Sequence, residues 1–387
     1  MKLLVVGNSY MTAFAQRKYV EMKRQCSSLE LRILAPRTAV NAFRRETREL
    51  APGLGAHEVV DIREFFGRSH MTYVFDPFGF AKALREFEPD RVHIEEDPYS
   101  AVGVETVFLT KLFCPSARIS FFIWDNLARV PRFPLGFIKR TLNRYSLRRA
   151  ELVVCGNKEG ARLLREKKGY RGRVAVLPQL GLDPDHYVGT HADKIRDDLL
   201  IPANTMLIGF VGRLVREKGI SLLFEALRHV NGFEWRVLVM GAGPMEGEIA
   251  GKWREVFGER LIFRPAKTMP RAEVPAYISA LDVLVLPSYA TPHWKEQFGI
   301  VLAQAMLAGV PCVGSSSGAI PEVIGPGGLV FGEKDADDLA RTLERILTDA
   351  ELRKSLAANA RNHAQQHYTH ETVGAAYLAQ FGWAAHE

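Results

Sequence analysis

Long hydrophobic runs are missing from this sequence of 387 residues. A helix that crosses a bilayer needs about 20 consecutive apolar residues, whereas the apolar runs here, such as Val283–Leu286, have the length of a strand. The first strand-like run, Lys2–Val6, is not accompanied by the charged, apolar and small-residue regions of a secretory signal peptide. The sequence therefore predicts a cytoplasmic protein.

Cysteine is also scarce, and its spacing excludes two classes of protein. The four cysteines lie far apart, and no two have the spacing of metal ligands: Cys26, Cys114, Cys155 and Cys312. Three of them stand in apolar stretches, which favours reduced, buried thiols over a disulfide framework. The sequence predicts no metal site and no cofactor.

Acidic residues are almost absent from one segment, Lys111–Arg149. Asp125 is its single acid, and nine minus one gives +8, more than the +7 of the whole chain. Its nine bases are Lys111, Arg118, Arg129, Arg132, Lys139, Arg140, Arg144, Arg148 and Arg149. Local positive charge of this size suits an anionic partner, such as a nucleotide, a nucleic acid or an anionic lipid.

Strand-like and helix-like segments alternate along nearly the whole chain. The pattern predicts an α/β fold in which parallel sheets are covered on both faces. A chain of this length exceeds a single core, and a stretch rich in proline, glycine and acids interrupts the series. We therefore predict a first Rossmann-like domain at 1–180, a linker region at 181–202, a second at 203–365, and a final helix at 366–387 that could pack on the first domain. Two such domains predict an active site in the cleft that they face.

Individual elements follow from the same periodicity. The predicted strands are Leu3–Val6, Leu31–Leu34, Arg91–Glu95, Ile119–Ile123, Leu152–Cys155, Val174–Leu177, Leu207–Val211, Arg236–Met240, Leu261–Phe263, Val283–Leu286 and Pro311–Val313. The predicted helices are Ala13–Gln25, Phe80–Phe87, Tyr99–Phe113, Phe137–Arg149, Lys158–Lys168, Gly219–His229, Pro244–Phe257, Arg271–Ala280, Gly299–Ala308 and Ala336–Leu347.

One motif places two cations after a strand. In Val211-Gly212-Arg213-Leu214-Val215-Arg216-Glu217-Lys218-Gly219 the strand ends in a glycine turn, and a helix follows. Arg213 and Lys218 could both aim at a diphosphate above the strand ends, one as a planar fork and the other as a point charge. A solvated loop with ordinary surface cations is the alternative.

A second motif follows the strand at Val283–Leu286. The loop Pro287–Phe298 leads into an apolar helix near Gly299, whose free amides and dipole favour an anion. Glu296, in that loop, could accept hydrogen bonds from sugar hydroxyls, and Gln304 could reach a ribose from one turn into the helix. Glu296 could instead be an acid that simply favours the helix dipole.

Together these stretches resemble the donor-binding half of the retaining glycosyltransferases of family 4, also called glycosyl transferases group 1, over about residues 205–330. The segments that carry the resemblance are Gly212-Arg213-Leu214, Glu217-Lys218-Gly219, Gly241-Ala242-Gly243-Pro244, Glu296-Gln297-Phe298-Gly299, Ala305-Met306, Gly309-Val310-Pro311 and Gly318-Ala319-Ile320-Pro321-Glu322-Val323-Ile324. The resemblance implies the GT-B fold, two facing Rossmann-like domains, and a metal-independent transfer of a sugar with retention of its anomeric configuration.

The resemblance also implies roles for individual residues. Arg213, Lys218 and Glu296 match the catalytic positions of the family, the two cations on the donor diphosphate and Glu296 as the first acid of its Glu–seven residues–Glu motif. The implied donor-binding set is Gly212, Arg213, Lys218, Gly243, Arg264, Lys267, Glu296, Phe298, Gly299, Ile300 and Gln304.

Two departures from the family pattern bear on activity. The second acid of the motif is replaced by Gln304, an amide that bonds a ribose hydroxyl more weakly than a carboxylate. The His-Asp pair that the family often places in its first domain reads Trp124-Asp125-Asn126 here, without the histidine. A non-catalytic nucleotide-sugar-binding subunit of the same fold is therefore the alternative to an enzyme.

The acceptor side is predicted at strand ends of the first domain. The candidate residues there are Gly7, Asn8, Ser9, Glu95, Glu96, Asp125 and Asn126. The acids at 95–97 could contact acceptor hydroxyls, although Asp97 could equally cap the following helix.

The basic segment Arg129–Arg149 interleaves its cations with aromatic and aliphatic residues. This pattern suits a surface that lies on the anionic inner face of a membrane, and an ordinary amphipathic helix is the alternative. No recognised nucleic-acid motif is found, so nucleic acid is not predicted as a partner.

The glycines after the strand Arg236–Met240 suggest a further hypothesis, a dinucleotide-binding oxidoreductase. Gly241-Ala242-Gly243 begins like a dinucleotide fingerprint, but Gly247 falls one place late, which disfavours an oxidoreductase. The predicted donor is a nucleoside-diphosphate sugar, UDP first and GDP next on family frequency, and the predicted acceptor is a glycan or lipid-linked glycan of polysaccharide biosynthesis.

Overall fold

The computed structural model describes residues 1–36, 39–41, 44–46, 49–66, 71–128, 133–187, 192–266 and 271–383. The chain divides into two compact units, Met1–Gly181 with His370–Glu387, and Leu182–Thr369. The segment predicted as a linker, 181–202, thus folds with the second unit from Leu182 onward, and the final helix lies in the first.

A parallel sheet of seven strands forms the centre of the first unit. The strands of this unit are β1 (Lys2–Val6), β2 (Glu30–Pro36), β3 (Ala39–Asn41), β4 (Arg44–Glu46), β5 (Val59–Ile62), β6 (Glu64–Phe65), β7 (Val74–Phe75), β8 (Arg91–Ile94), β9 (Arg118–Ile123), β10 (Leu152–Cys155) and β11 (Arg173–Val176). The large sheet has the order β11-β10-β9-β8-β1-β2-β5, while β3 with β4 and β6 with β7 form small antiparallel pairs.

Helices cover both faces of this sheet. They are α1 (Ala13–Gln25), α2 (Pro77–Phe87), α3 (Ala101–Phe113), α4 (Leu135–Leu147), α5 (Lys158–Glu166) and, from the chain end, α15 (His370–Phe381). The cap of α3 is Ser100, whose Oγ accepts from the Gly103 amide at 3.1 Å. The alternative that Asp97 caps this helix is wrong, because only the backbone carbonyl of Asp97 takes part, as an acceptor for Ser100.

The second unit repeats the plan with six parallel strands. They are β12 (Met206–Val211), β13 (Trp235–Gly241), β14 (Leu261–Pro265), β15 (Val283–Leu286), β16 (Cys312–Ser315) and β17 (Gly328–Phe331), in the order β14-β13-β12-β15-β16-β17. Their side chains are largely buried, as expected for a sheet covered on both faces.

The helices of this unit are α6 (Ala192–Asp198), α7 (Ile220–Leu227), α8 (Glu246–Glu248), α9 (Arg254–Phe257), α10 (Val274–Ser279), α11 (Ile300–Leu307), α12 (Ile320–Ile324), α13 (Ala336–Thr348) and α14 (Ala350–His367). The single helix predicted at Pro244–Phe257 is divided by a π-helical turn, Ile249–Trp253. Glycines at 247 and 251 lower the helix propensity of this stretch.

The structure confirms the α/β class and the two doubly wound parallel sheets. All four cysteines are buried free thiols, as the sequence predicted. Within the described residues, no helix is long and apolar enough to cross a membrane.

Candidate active site

Three loops meet at the carboxyl edge of the second unit's sheet, because β12, β15 and β16 are neighbours there. The loop after β12 carries Arg213 and Lys218, and the loop after β15 carries Glu296. The loop after β16 carries Ser317. Ligands of doubly wound sheets bind beyond this edge, so the topology indicates a ligand-binding site there.

Lys218 and Glu296 form a close ion pair. Lys218 Nζ lies 2.5 Å from Glu296 Oε2, and the two side chains are only 13% and 8% exposed. The same ammonium lies 5.0 Å from the centre of the Trp294 ring, a favourable position for a cation. Two of the three residues predicted as catalytic are thus in direct contact, although 78 positions separate them in the sequence.

Serine side chains at the ends of β15 and β16 fix the position of the Glu296 carboxylate. Ser288 Oγ donates to Glu296 Oε2 at 3.2 Å, and Ser315 Oγ donates to the carbonyl of Ser288. The amide of Ser317 donates in turn to Ser315 Oγ at 3.3 Å. These bonds tie the ends of β15 and β16 together and fix the carboxylate. Sequence reasoning missed the serines, whose only signal is a small polar residue directly at or after a buried strand.

Arg213 differs from Lys218 in its exposure to solvent and in its partners. Its side chain is exposed, and it makes no ion pair within the described part of the chain. A guanidinium keeps its charge at all working pH values and presents five donors in a planar fork. The site therefore offers one cation already neutralised by Glu296 and one that is available to an anion.

Two glycines shape the loops. Gly219 has φ +73° and packs so closely on the strand-end backbone that a Cβ would lie 2.0 Å from the carbonyl oxygen of Pro287. Gly299 has φ +77° and precedes α11 without any side-chain cap. The first turn of α11 therefore presents backbone amides at Gly299 and Ile300, the arrangement that favours a bound phosphate.

The other residues predicted to bind the donor have the following surroundings. The amide of Gly212 donates to the carbonyl of Met240 at 3.0 Å, and the amide of Gly243 donates to Glu246 Oε1 at 2.9 Å. Arg264 is an exposed residue of β14, the edge strand. Lys267 lies outside the described residues.

Phe298 packs edge-on against the Tyr368 ring, with ring centres 5.4 Å apart. The phenyl group therefore anchors the loop to α14's end, and a ligand contact at this position would fall to the backbone.

Gln304 has a partner that the sequence did not suggest. Its amide hydrogen-bonds the hydroxyl of Tyr187, which lies in a short helical turn, Pro184–Tyr187, within the segment predicted as a linker. Burial raises the pKa of Tyr187 to about 12, and the hydrogen bond from Gln304 opposes that rise. The side chain of Gln304 is thus close to the hydroxyl of Tyr187.

In the first unit, the turn after β1 rests on Glu96. The amide of Asn8 donates to Glu96 Oε1 at 2.8 Å, and Tyr73 Oη donates to the same oxygen at 2.9 Å. Burial raises the pKa of Glu96 to about 7, against the effect of these two bonds. Gly7 and Ser9 flank Asn8 in the sequence. The contact between Asn8 and Glu96 therefore brings the turn 7–9 and Glu96, all predicted for the acceptor side, together.

Glu95 points the other way, into the core. Its Oε1 lies 2.8 Å from Lys18 Nζ and accepts a hydrogen bond from Tyr19 Oη at 2.5 Å, and both members of the ion pair are fully buried. Burial alone would raise the pKa of Glu95. The ammonium of Lys18 and the ring of His93 outweigh this effect and hold that pKa well below its usual range. The carboxylate is a structural group in this arrangement rather than an exposed acid at the strand end.

Asp125 and Asn126 follow β9. Asp125 Oδ2 lies 3.0 Å from Lys168 Nζ, and Asn126 is buried. Both residues are therefore held in place at the carboxyl end of β9. Across the described residues, no group of three or more His, Cys, Asp or Glu side chains is arranged to hold a metal ion.

The comparisons with known proteins agree with this architecture. Residues 191–363 match the family described as glycosyl transferases group 1. Among curated proteins, the chain is 30% identical over 225 residues to a 2-deoxystreptamine glucosyltransferase of Streptomyces kanamyceticus, covering 55% of this chain and 56% of that protein. It is 28% identical over 359 residues to a D-inositol 3-phosphate glycosyltransferase of Nocardiopsis dassonvillei, covering 84% and 81%. The chain spans about half the length of the first curated relatives that it matches.

Solved structures extend the likeness over the whole chain. The Anabaena protein Alr3699/HepE, solved in complex with UDP, aligns with a TM-score of 0.73 at 19% identity, covering 99% of this chain and 100% of that one. A sucrose-phosphate synthase of Thermosynechococcus elongatus aligns with a TM-score of 0.71 at 17% identity, covering 99% and 98%. The fold is GT-B, as predicted. Residues 191–363 carry the similarity to the glycosyl transferases group 1.

Proposed function

We propose that this protein is a glycosyltransferase that takes its sugar from a nucleoside-diphosphate sugar bound at the carboxyl edge of the second unit's sheet. The observation that carries the proposal is the Lys218–Glu296 ion pair. Lys218 shares a loop with the exposed Arg213, and Glu296 directly precedes the turn that leads into the uncapped start of α11. Cations and helix amides at one edge suit a diphosphate, and a held carboxylate suits sugar hydroxyls.

The ion pair suggests how the donor is received. The diphosphate competes with Glu296 for Lys218, while Arg213 supplies a second positive charge. Glu296, kept in place by Ser288, then accepts hydrogen bonds from the sugar. In the transfer, the bond between the anomeric carbon and the diphosphate oxygen breaks, the acceptor oxygen forms its bond on the same face, and the acceptor proton passes to the departing phosphate. The configuration is retained, and the cations stabilise the leaving charge without a metal.

UDP is the favoured nucleotide, and GDP is next. The structural neighbour HepE is solved with UDP and with UDP-glucose, which supports a uridine donor here. We propose a glycan or lipid-linked acceptor of polysaccharide biosynthesis, received near Asn8 and Glu96 of the first unit.

A peripheral contact with an anionic membrane would suit a lipid-linked acceptor. Several large apolar side chains near the start of α4 are exposed: Phe133, Leu135, Phe137 and Ile138. Exposed aromatic and aliphatic groups beside a basic helix are typical of surfaces that lie on lipid. Of the basic stretch Arg129–Arg149, residues 129–132 lie outside the described residues.

The test is a turnover assay with UDP-glucose, UDP-galactose, UDP-N-acetylglucosamine and GDP-mannose. Release of the nucleoside diphosphate, with or without chelator, is expected from one donor, and nuclear magnetic resonance of the product gives its anomeric configuration. Binding of a nucleotide-sugar without hydrolysis or transfer of any donor would instead favour a non-catalytic binding subunit.

A further inference from the structure

The first unit contains a cavity whose charged lining residues are all basic. It has a volume of about 770 Å³ and lies between the second half of α4 and the segment that leads into β11. Its cationic lining residues are Arg140, Arg144, Arg148, Lys167, Lys168 and Arg171, and no acid lines it. The cavity thus lies beside the end of α4 and the start of β11, and one of its lining residues, Lys168, reaches Asp125 after β9.

Most of these cations have no countercharge. Lys168 pairs with Asp125, whereas the other five form no ion pair with any described residue. Neighbouring cations that point elsewhere do have partners. Lys139 lies 3.8 Å from the centre of the Tyr99 ring, and Arg149 lies 4.0 Å from that of Tyr145. Five of the six cations that line the cavity therefore lack an ion pair with any described residue.

Three of these cations repel one another along α4 and its C-cap, Arg148. Arg140, Arg144 and Arg148 follow one another at intervals of four, where like charges repel, and α4 contains no acid. The dipole at the helix end accounts for cations in its last turn. It does not account for Arg140, nor for Lys167 and Arg171, which come from a separate segment.

We propose that this cavity binds a ligand through two or more phosphate groups. Guanidinium forks from α4 on one side, with Lys167 and Arg171 on the other, would form bidentate and point-charge contacts with phosphate oxygens. The volume is in the range of small-molecule sites. The cavity lies wholly in the first unit, so the inference does not depend on the proposed donor site. Soluble oligophosphates and phospholipid headgroups share the chemistry that it recognises.

The experiment measures binding of two probes to the full chain at physiological ionic strength. Inorganic tripolyphosphate, titrated by calorimetry, represents the soluble source. Cosedimentation with phosphatidylcholine vesicles that contain phosphatidylglycerol, against pure phosphatidylcholine vesicles, represents the lipid source. Binding of either probe supports the site and names its source, and binding of neither probe overturns the proposal.

Charge-matched variants decide where the probe binds. The triple variant Arg140→Ser, Arg144→Ser, Arg148→Ser is expected to bind the probe about tenfold more weakly or worse, because each lost fork removes charge-assisted bonds. The control Arg24→Ser, Arg162→Ser, Arg341→Ser loses the same charge from exposed, acid-paired positions and should bind as the wild type does. Equal weakening in both triples would show non-specific attraction and overturn the proposal. So would loss of tripolyphosphate binding in Lys218→Ala, since it would place the phosphate in the second unit.

Discussion

In each unit of this protein, the described residues include a Lys–Glu ion pair whose glutamate follows a strand of the parallel sheet, and the two pairs differ in their surroundings. Lys18–Glu95 is completely buried, with Tyr19 and His93 around the carboxylate. Lys218–Glu296 remains partly exposed next to Trp294, and the exposed Arg213 lies in the same loop as Lys218. Similar chemistry therefore serves two purposes. Full burial keeps a pair together as part of the fold, whereas partial exposure leaves a pair that a ligand can separate.

The largest expected effect comes from breaking the pair in the first unit. Lys18→Met leaves Glu95 as an uncompensated charge in the core, which should cost about 3–5 kcal/mol of unfolding free energy. Equilibrium denaturation in urea measures the loss. The double variant Lys18→Met, Glu95→Gln should recover part of it. Equal stability of Lys18→Met and wild type would show that the pair does not support the fold.

Breaking the pair in the second unit should affect chemistry instead. Lys218→Ala removes a charge that stabilises the departing diphosphate, so turnover should fall about a hundredfold. The unfolding free energy should fall less than in Lys18→Met, because the side chains of Lys218 and Glu296 are 13% and 8% exposed whereas those of Lys18 and Glu95 are fully buried. Arg216→Ala, on the same turn and exposed, is the matched control. Near-normal turnover in Lys218→Ala would remove the diphosphate assignment.

A pH experiment sharpens the contrast within the first unit. Glu96 has a pKa raised to about 7 by burial, so the folded state prefers its protonated form. Its contribution is fully present below the unfolded pKa of about 4.5 and is lost as pH rises through 7. Glu96→Gln removes this dependence. The wild type should therefore lose about 1–3 kcal/mol relative to the variant between pH 4.5 and pH 8. Parallel stability curves for the two proteins would contradict the assignment.

The smallest effect is expected at Gln304. Gln304→Glu should raise donor affinity a few-fold if the side chain meets the ribose, since a carboxylate is the stronger acceptor. Tyr187→Phe frees the amide of Gln304 and should change donor affinity less than about fivefold, the scale of one neutral hydrogen bond. Calorimetric titration with UDP measures both changes. If neither substitution alters affinity, the side chain at 304 lies outside the donor site.

The sequence predicted the sheets well where strands are long and apolar. It missed β5 and β17 of the large sheets and the short strands β3, β4, β6 and β7 of the antiparallel pairs. Strands of two to four residues beside turn residues carry little periodicity, as in β17 directly after Gly325-Pro326-Gly327. It could not foresee the division of the helix predicted at Pro244–Phe257, since π-helical turns have no pattern of their own.

The candidate site was predictable in part. Arg213, Lys218 and Glu296 were found because each lies in a loop after an apolar strand, at the edge where doubly wound folds bind ligands. The burial of Glu95 could not be read from the sequence, because its partner Lys18 lies 77 positions away on α1. The role of Tyr187 was missed for the same reason. Long-range partners decide whether a polar residue belongs to a core or to a site.

The central claim is that the second unit's strand edge binds the diphosphate of a nucleotide-sugar through Lys218 and Arg213. The most direct measurement is calorimetric titration of UDP and GDP into the wild type and into Lys218→Ala. The account predicts that one nucleotide binds the wild type and that the variant binds it about tenfold more weakly or worse. Absence of binding by both nucleotides, or equal affinity in the wild type and the variant, would contradict it.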